Sequence, residues 1–315
     1  MAKELRLGLI GAGRWGRNYI TTIAGLESVR LAGLASRNPE SARLAGAGCL
    51  VTGDWRSLLD ASVIDAAVVA TPPALHAEMV AAAVRCGLPV LVEKPLTLDL
   101  DEALALRDLV AAQGGFVMVD HTHLFHPAYR ALKLAAPHYG PIRAIECRAG
   151  NYGPFRADTR PLWDWGAHDL ALCLDLVGAP PERLDATCLE SRQTPEGWGE
   201  VLELRAQFPR AVSAILRFGN LLAKTRRLVV YLERGVLVYD DLAEHKLMAH
   251  PPALPHAELN TPGEPLPYER RLPLACVVSE FATAVAASGT SLHSLDLGVE
   301  VVRLLDRCEA ALPVA

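Results

Sequence analysis

Two short stretches of this chain carry side chains able to manage a proton. The first is Glu93-Lys94-Pro95, directly after the apolar run Val90–Val92. A lysine at a strand end, fixed by a following proline, points into the crevice where open α/β sheets bind ligands. There it can polarise a carbonyl or stabilise an alkoxide; the plain alternative is an exposed lysine. The second stretch is Trp163-Asp164-Trp165-Gly166-Ala167-His168-Asp169. Asp164 and His168 stand four apart, hence on one face of a helix. An imidazole held on such a face is a candidate general acid/base. The plain alternative is an Asp cap and a satisfied histidine.

A third stretch, Gly11-Ala12-Gly13-Arg14-Trp15-Gly16, is G-x-G-x-x-G. In a strand–turn–helix context its glycines allow a tight turn, close approach to a pyrophosphate, and tight helix–strand packing. The helix N-terminus then offers N–H groups to phosphates. Gly11, Gly13, Arg14, Trp15 and Gly16 are therefore expected at a dinucleotide. The next strand ends Ala35-Ser36-Arg37-Asn38, with no carboxylate for a ribose 2′-OH. Ser36 and Arg37 suit a 2′-phosphate, so NADP(H) is expected over NAD(H), which stays possible. The alternative for Arg37 is a solvated residue indifferent to that phosphate. Thr71, Pro72 and His76 follow a further strand and are expected to line the cofactor, as are Glu93 and Lys94, with His76 itself more structural in character.

These residues need elements to hold them. Strands are expected at Leu5–Ile10, Val29–Ala35, Asp65–Ala70, Pro89–Val92 and Phe116–Val119. Helices at Trp15–Gly25, Asn38–Ala45, Ala74–Cys86 and Asp99–Gln113 alternate with them. Such alternation implies βαβ units and a doubly wound parallel sheet. The pattern changes near residue 120. Helices are expected at Pro127–Ala136 and Asp164–Val177, and a long strand at Ile142–Tyr152. Further strands, such as Val201–Phe208, Val212–Phe218, Leu228–Leu232 and Gly235–Tyr239, read as an antiparallel meander. Pro251–Pro267 reads as a loop, and helices at Leu272–Ala287 and Ser294–Ala311 close the chain. The expected organisation is a Rossmann domain over 1–120 and a second α/β domain over 121–315.

Bulk properties narrow the classes. With 51% hydrophobic residues in 315, a large core can be buried. The net charge of -5 argues against a nucleic-acid partner. No apolar run of spanning length and no signal-peptide pattern occurs, so a cytoplasmic protein without a membrane partner is expected. The seven cysteines form no C-x-x-C pair and their number is odd, which argues against a disulfide framework or structural zinc. His121 and His123 would share a strand face, but no carboxylate–histidine set completes a site, and no metal is expected.

The combination GLIGAGRWG, ATPPALH, EKPL and WDWGAHD resembles the Gfo/Idh/MocA oxidoreductases, from Leu5 to the closing helix. The resemblance implies a Rossmann domain followed by an α/β domain whose open, mainly antiparallel sheet often forms the oligomer interface. A homo-oligomer, dimer or tetramer, follows as an expectation. It also implies that Lys94 lies by nicotinamide and substrate, with Asp164 and His168 facing the same pocket. The segments VDHTHLFHPAYRALK and NYGPFRADTRPLWDWGAHDL look most like members acting on sugar nucleotides. By that likeness Arg156 and Arg160 meet an anionic or polyhydroxylated group, and His121 and Tyr152 join the substrate side. Two departures stand out: the acid usual after the second strand is missing, and the chain is short for the family.

The function these expectations support is hydride transfer between nicotinamide and a secondary alcohol or ketone of a sugar, sugar nucleotide or cyclitol. Lys94, His168 and Asp164 would form the catalytic group. Two alternatives stay open: a diol or imine/biliverdin-type reductase on the same fold, and a non-catalytic dinucleotide sensor.

Overall fold

The computed structural model describes residues 4–312. In chain order the first elements are β1 (Leu5–Ile10), α1 (Arg14–Ala24), β2 (Val29–Ala35), β3 (Leu50–Thr52), β4 (Ala66–Val69), α2 (His76–Arg85), β5 (Val90–Glu93), α3 (Leu100–Gln113) and β6 (Val117–Asp120). Then come α4 (Pro127–Ala135), β7 (Ile142–Tyr152), α5 (Ala167–Val177), β8 (Arg183–Thr194), β9 (Gly197–Phe208), β10 (Val212–Gly219) and β11 (Leu221–Leu232). The chain continues through β12 (Gly235–Asp240), β13 (Leu247–His250), β14 (Glu264–Pro265), α6 (Pro273–Ala286) and α7 (His293–Ala311). No helix among the described residues is long and apolar enough to cross a membrane.

The chain divides into two compact units, and it crosses between them more than once. The first holds the chain up to Thr122 together with Leu272–Val302; the second holds His123–Arg271 and the chain from Arg303 onward. The crossing near residue 120 is thus followed by a return at Leu272.

In the first unit six parallel strands run in the order β3-β2-β1-β4-β5-β6, a Rossmann sheet. Every residue of β4, β5 and β6 is buried, as expected where helices cover both faces. The C-terminal helices belong to this core. Phe281 of α6 stacks on Phe116 at 5.9 Å. Ser294 Oγ of α7 accepts from Val119 N at 3.0 Å, and Asp296 pairs with Arg107 of α3 at 2.6 Å.

The second unit is built on an eight-stranded sheet in the order β14-β13-β12-β11-β7-β10-β9-β8. Only the β7–β10 neighbours are parallel, so the sheet is mainly antiparallel. Helices α4 and α5 pack on one face. The other face carries ion pairs, Arg148 with Glu146 at 2.6 Å and Arg217 with Glu203 at 2.7 Å. Beside them Val229, Tyr231, Val236 and Val238 form an apolar cluster capped by Ala253 and Leu259 of the Pro-rich stretch.

Several local expectations are corrected. The helix expected over Asn38–Ala45 is a short 3-10 turn, Pro39–Leu44, begun by the Asn38 side chain accepting from Glu40 N. β3 was not expected; it is three residues at the sheet edge, with Leu50 and Val51 exposed, and shows no burial period. The helix expected from Asp164 becomes α-helical only at Ala167, because Leu162–Gly166 form a π-helical turn. The expected loop Pro251–Pro267 contains β14, which pairs with β13. His121 and His123 share no strand: β6 stops at Asp120, and Thr122–Phe125 form a 3-10 turn.

Candidate active site

At the β1–α1 turn the three glycines do three different things. Gly11 has φ +103°, and a Cβ there would meet Ala70 O at 2.6 Å. A Cβ on Gly16 would sit 2.1 Å from Gly11 O, so only glycine lets α1 approach the turn this closely. At Gly13 a Cβ would meet nothing within 4 Å, so that backbone faces open space. Gly13 caps α1 with no side-chain hydrogen bond, leaving the first N–H groups to a ligand. Arg14 is exposed and Trp15 is 40% exposed beside this turn. An open backbone at a helix N-terminus, walled by two obligatory glycines, fits a dinucleotide pyrophosphate.

At the end of β2, Ser36 Oγ lies 2.8 Å from Ser41 Oγ and accepts from Asn38 N at 3.2 Å. Arg37 is exposed. After β4, Thr71 and Pro72 lead to His76, which is fully buried. Its Nδ1 is 2.9 Å from Pro95 O and its Nε2 3.0 Å from Thr71 O. Burial holds its pKa below the usual histidine value. His76 therefore ties the loop after β4 to the loop after β5.

Lys94 follows β5 and is 8% exposed, with a cis peptide to Pro95. Its positive field reaches Glu93, Asp120, His121 and His76. His121 is buried, and neither ring nitrogen has a hydrogen-bond partner. Burial, helped by Lys94, lowers its pKa to about 3, so it is neutral at physiological pH.

In the second unit Asp164 and His168 are both half-buried. Asp164 lies in the π turn and His168 in the first turn of α5, so the four-residue spacing does not follow one regular helix face. Asp164 does not cap α5, whose N-cap is Gly166 with no side-chain hydrogen bond. Wider turns of this kind occur often at functional sites. Gly166 is needed for packing: a Cβ there would come within 3.0 Å of Phe218 and 3.2 Å of Leu305. His123 meets His168 edge-to-face.

Both arginines expected on the substrate side carry an acid partner. Arg160 pairs with the buried Glu200 and lies 6.0 Å from the Trp198 ring centroid. Arg156 forms a two-pronged pair with Asp158, at 3.0 and 3.2 Å. Tyr152 is 66% exposed at the end of β7. Among the described residues no group of three His, Cys, Asp or Glu side chains is placed to hold a metal.

A family model described as an oxidoreductase family with an NAD-binding Rossmann fold matches residues 5–121. A protein from Magnetospirillum magnetotacticum MS-1, named only as a candidate oxidoreductase, has a crystal structure that superposes with a TM-score of 0.92. It is 45% identical, over 97% of this chain and 100% of its own. This chain belongs to the Gfo/Idh/MocA oxidoreductase family. Inositol 2-dehydrogenase 4 of Saccharopolyspora erythraea is 38% identical over 136 residues, 42% of this chain and 40% of that protein. UDP-N-acetylglucosamine 3-dehydrogenase of Acidithiobacillus ferrooxidans is 31% identical over 56% of each chain. Its solved structure superposes over 98% of both chains with a TM-score of 0.83 at 25% identity. The chain thus aligns with about two-fifths to just over half the length of these curated relatives.

Sequence reasoning missed several groups in this Gfo/Idh/MocA chain. Asp120 and Tyr19, both fully buried, join Glu93 and Lys94. Asp169 is buried beside His168, with Oδ2 unpartnered and its pKa raised by burial to about 7. The available signal was a carboxylate closing each of two apolar strands, VLVE and VMVD.

Proposed function

We propose that this chain is an NAD(P)-dependent oxidoreductase acting on a secondary alcohol or ketone of a sugar, sugar nucleotide or cyclitol. The observation that carries this reading is a buried Lys94 at the end of β5, in the same parallel sheet as the glycine turn at β1–α1. The names of two relatives, an inositol 2-dehydrogenase and a UDP-N-acetylglucosamine 3-dehydrogenase, supply the substrate class. Both denote oxidation at a ring secondary hydroxyl.

When bound, the nicotinamide dinucleotide supplies the hydride acceptor or donor. The α1 N-terminus and Gly13 bind its pyrophosphate. Ser36 and Arg37 hold a 2′-phosphate, which favours NADP(H) over NAD(H). Lys94 stabilises charge developing on the substrate oxygen. His168 takes the hydroxyl proton in oxidation and returns it in reduction. Asp164 orients a substrate hydroxyl, and His121 presents a neutral, apolar wall. The outer face of the eight-stranded sheet joins copies into a homo-oligomer.

The test is a panel of inositols, nucleotide sugars, free sugars, simple diols and cyclic imines, each with NADPH and NADH, read by nicotinamide absorbance. Turnover confined to ring hydroxyl or keto substrates is expected. Turnover confined to imines, or tight cofactor binding without turnover of any compound, overturns the reading.

A further inference from the structure

The first unit buries two acids that the proposed reaction does not use. Glu93 and Asp120 close the neighbouring strands β5 and β6 and pair in register. They are 5% and 0% exposed. Tyr19, fully buried on α1, donates its hydroxyl to Asp120 Oδ2 at 2.5 Å and also reaches Glu93. Thr122 Oγ1 donates to Asp120 Oδ1 at 2.8 Å. Lys94, adjoining Glu93 in the chain, is the cation acting on both acids.

Charge counting separates the two carboxyl groups. Two buried carboxylates beside one ammonium leave an excess anion in a medium that solvates it poorly, so one acid keeps its proton. Glu93 is that acid. Burial and the adjacent Asp120 push it well above the usual carboxylate range, and its Oε1 has no hydrogen-bond partner. Asp120 accepts two hydroxyl hydrogen bonds, which favour its ionised form, although burial lifts its pKa to about 6. His121 is neutral at physiological pH, and burial lowers the pKa of His76. α7 meets β6 through Ser294 and Gly298, and α6 meets the start of that strand segment through Phe281. On α7, Asp296 is paired with Arg107.

We propose that Asp120, held by Tyr19 and Thr122, is the counter-charge that fixes the charge and the aim of Lys94, with Glu93 as the neutral member of the acid pair. Asp120 is a positioning residue: it acts on the reaction through Lys94. The inference rests on the reading of Lys94 as the reacting lysine, but its test does not need a substrate.

The test is competitive acetylation of the full chain with trace acetic anhydride across a pH series. Mass spectrometry compares Lys94 with the exposed Lys224. Wild type, Glu93→Gln, the double variant Glu93→Gln/Asp120→Asn and Tyr19→Phe are examined, each with its melting temperature; Glu93→Gln keeps that acid from ionising in place of Asp120. A buried ammonium without a counter-charge releases its proton more readily. In Glu93→Gln/Asp120→Asn, Lys94 is therefore acetylated about tenfold faster at neutral pH than in Glu93→Gln, the effect of a one-unit displacement of its labelling curve. Tyr19→Phe removes one donor from Asp120, so Asp120 stays protonated to higher pH, and labelling of Lys94 rises around pH 6 to 7, roughly the range set by loss of a hydrogen bond to a carboxylate. Should the double variant not fold, Tyr19→Phe decides alone. Superimposable Lys94 curves in folded variants, with only the melting temperature lowered, would overturn the proposal and leave the acids as packing. If no panel substrate turns over while the Lys94 curves still shift, the functional reading fails and this inference stands.

Discussion

The imidazole of His123 meets that of His168 edge-to-face, with ring centroids 4.7 Å apart and planes at 79°. His123 opens the second unit, and His168 lies in the first turn of α5. The two rings pack against each other at the start of the helix that bears the proposed proton-transfer group.

His168→Asn keeps hydrogen bonding but cannot exchange a proton near neutral pH. We expect kcat to fall about a hundredfold or more, with the corresponding limb of the kcat–pH profile flattened. Melting temperature and cofactor affinity should hold. A normal kcat with an intact profile would leave His168 a supporting residue only. His123→Ala should reproduce a milder version of the same kcat loss.

Lys94→Ala removes the ammonium proposed to lie beside the substrate oxygen. The expected outcome is a kcat lower by at least about a hundredfold, with little change in dinucleotide affinity measured by fluorescence titration. Near-wild-type turnover would remove Lys94 from the mechanism.

Arg37 is exposed beside the Ser36–Ser41 hydroxyl pair. Arg37→Ala should weaken NADPH about tenfold or more, the scale of one charge-assisted contact, and NADH much less. Equal losses for both, or tighter wild-type binding of NADH, contradict the NADP(H) preference.

Asp169 gives a stability test with a defined sign. Burial raises its folded pKa from 3.8 to about 7. A raised acid contributes stability that is fully present below its unfolded pKa and is lost as pH rises through the folded one. Asp169→Asn removes that loss. The variant should melt several degrees above wild type at pH 8, where an ionised buried carboxylate costs on the order of a few kcal/mol. Near pH 4 the two should nearly coincide. A variant no more stable at pH 8 than wild type would mean that Arg226, the charge acting on Asp169, compensates it fully.

The sequence exposed the parts of the fold whose signals are local. β1, β4, β5 and the glycine turn are contiguous patterns, and Leu5–Ile10 emerges with the bounds expected. What stayed hidden depends on partners far along the chain or on backbone register. Tyr19 reads as an ordinary core aromatic until Asp120, 101 residues on, is seen to accept its hydroxyl. Arg160, expected on the substrate side, also pairs with Glu200, 40 residues on, a partner that no local pattern announces. The π turn before α5 keeps the apolar spacing of a helix while displacing Asp164. β3 has too little buried surface to leave a pattern.

The chain's return at Leu272 has a consequence for anyone wishing to exchange specificity between relatives. The Rossmann sheet is finished by α6 and the first half of α7, through Phe281, Ser294 and Asp296. Cutting after residue 122 would therefore yield not a minimal cofactor module but a sheet missing part of its cover. In engineering terms His123–Arg271 is a cassette with two junctions, interrupting a host domain. It cannot travel quite alone: Leu305, from the far half of α7, packs where Gly166 leaves room for it. A graft that carries the cassette but keeps the host's residue at 305 puts its first mismatch directly beneath the turn that bears Asp164.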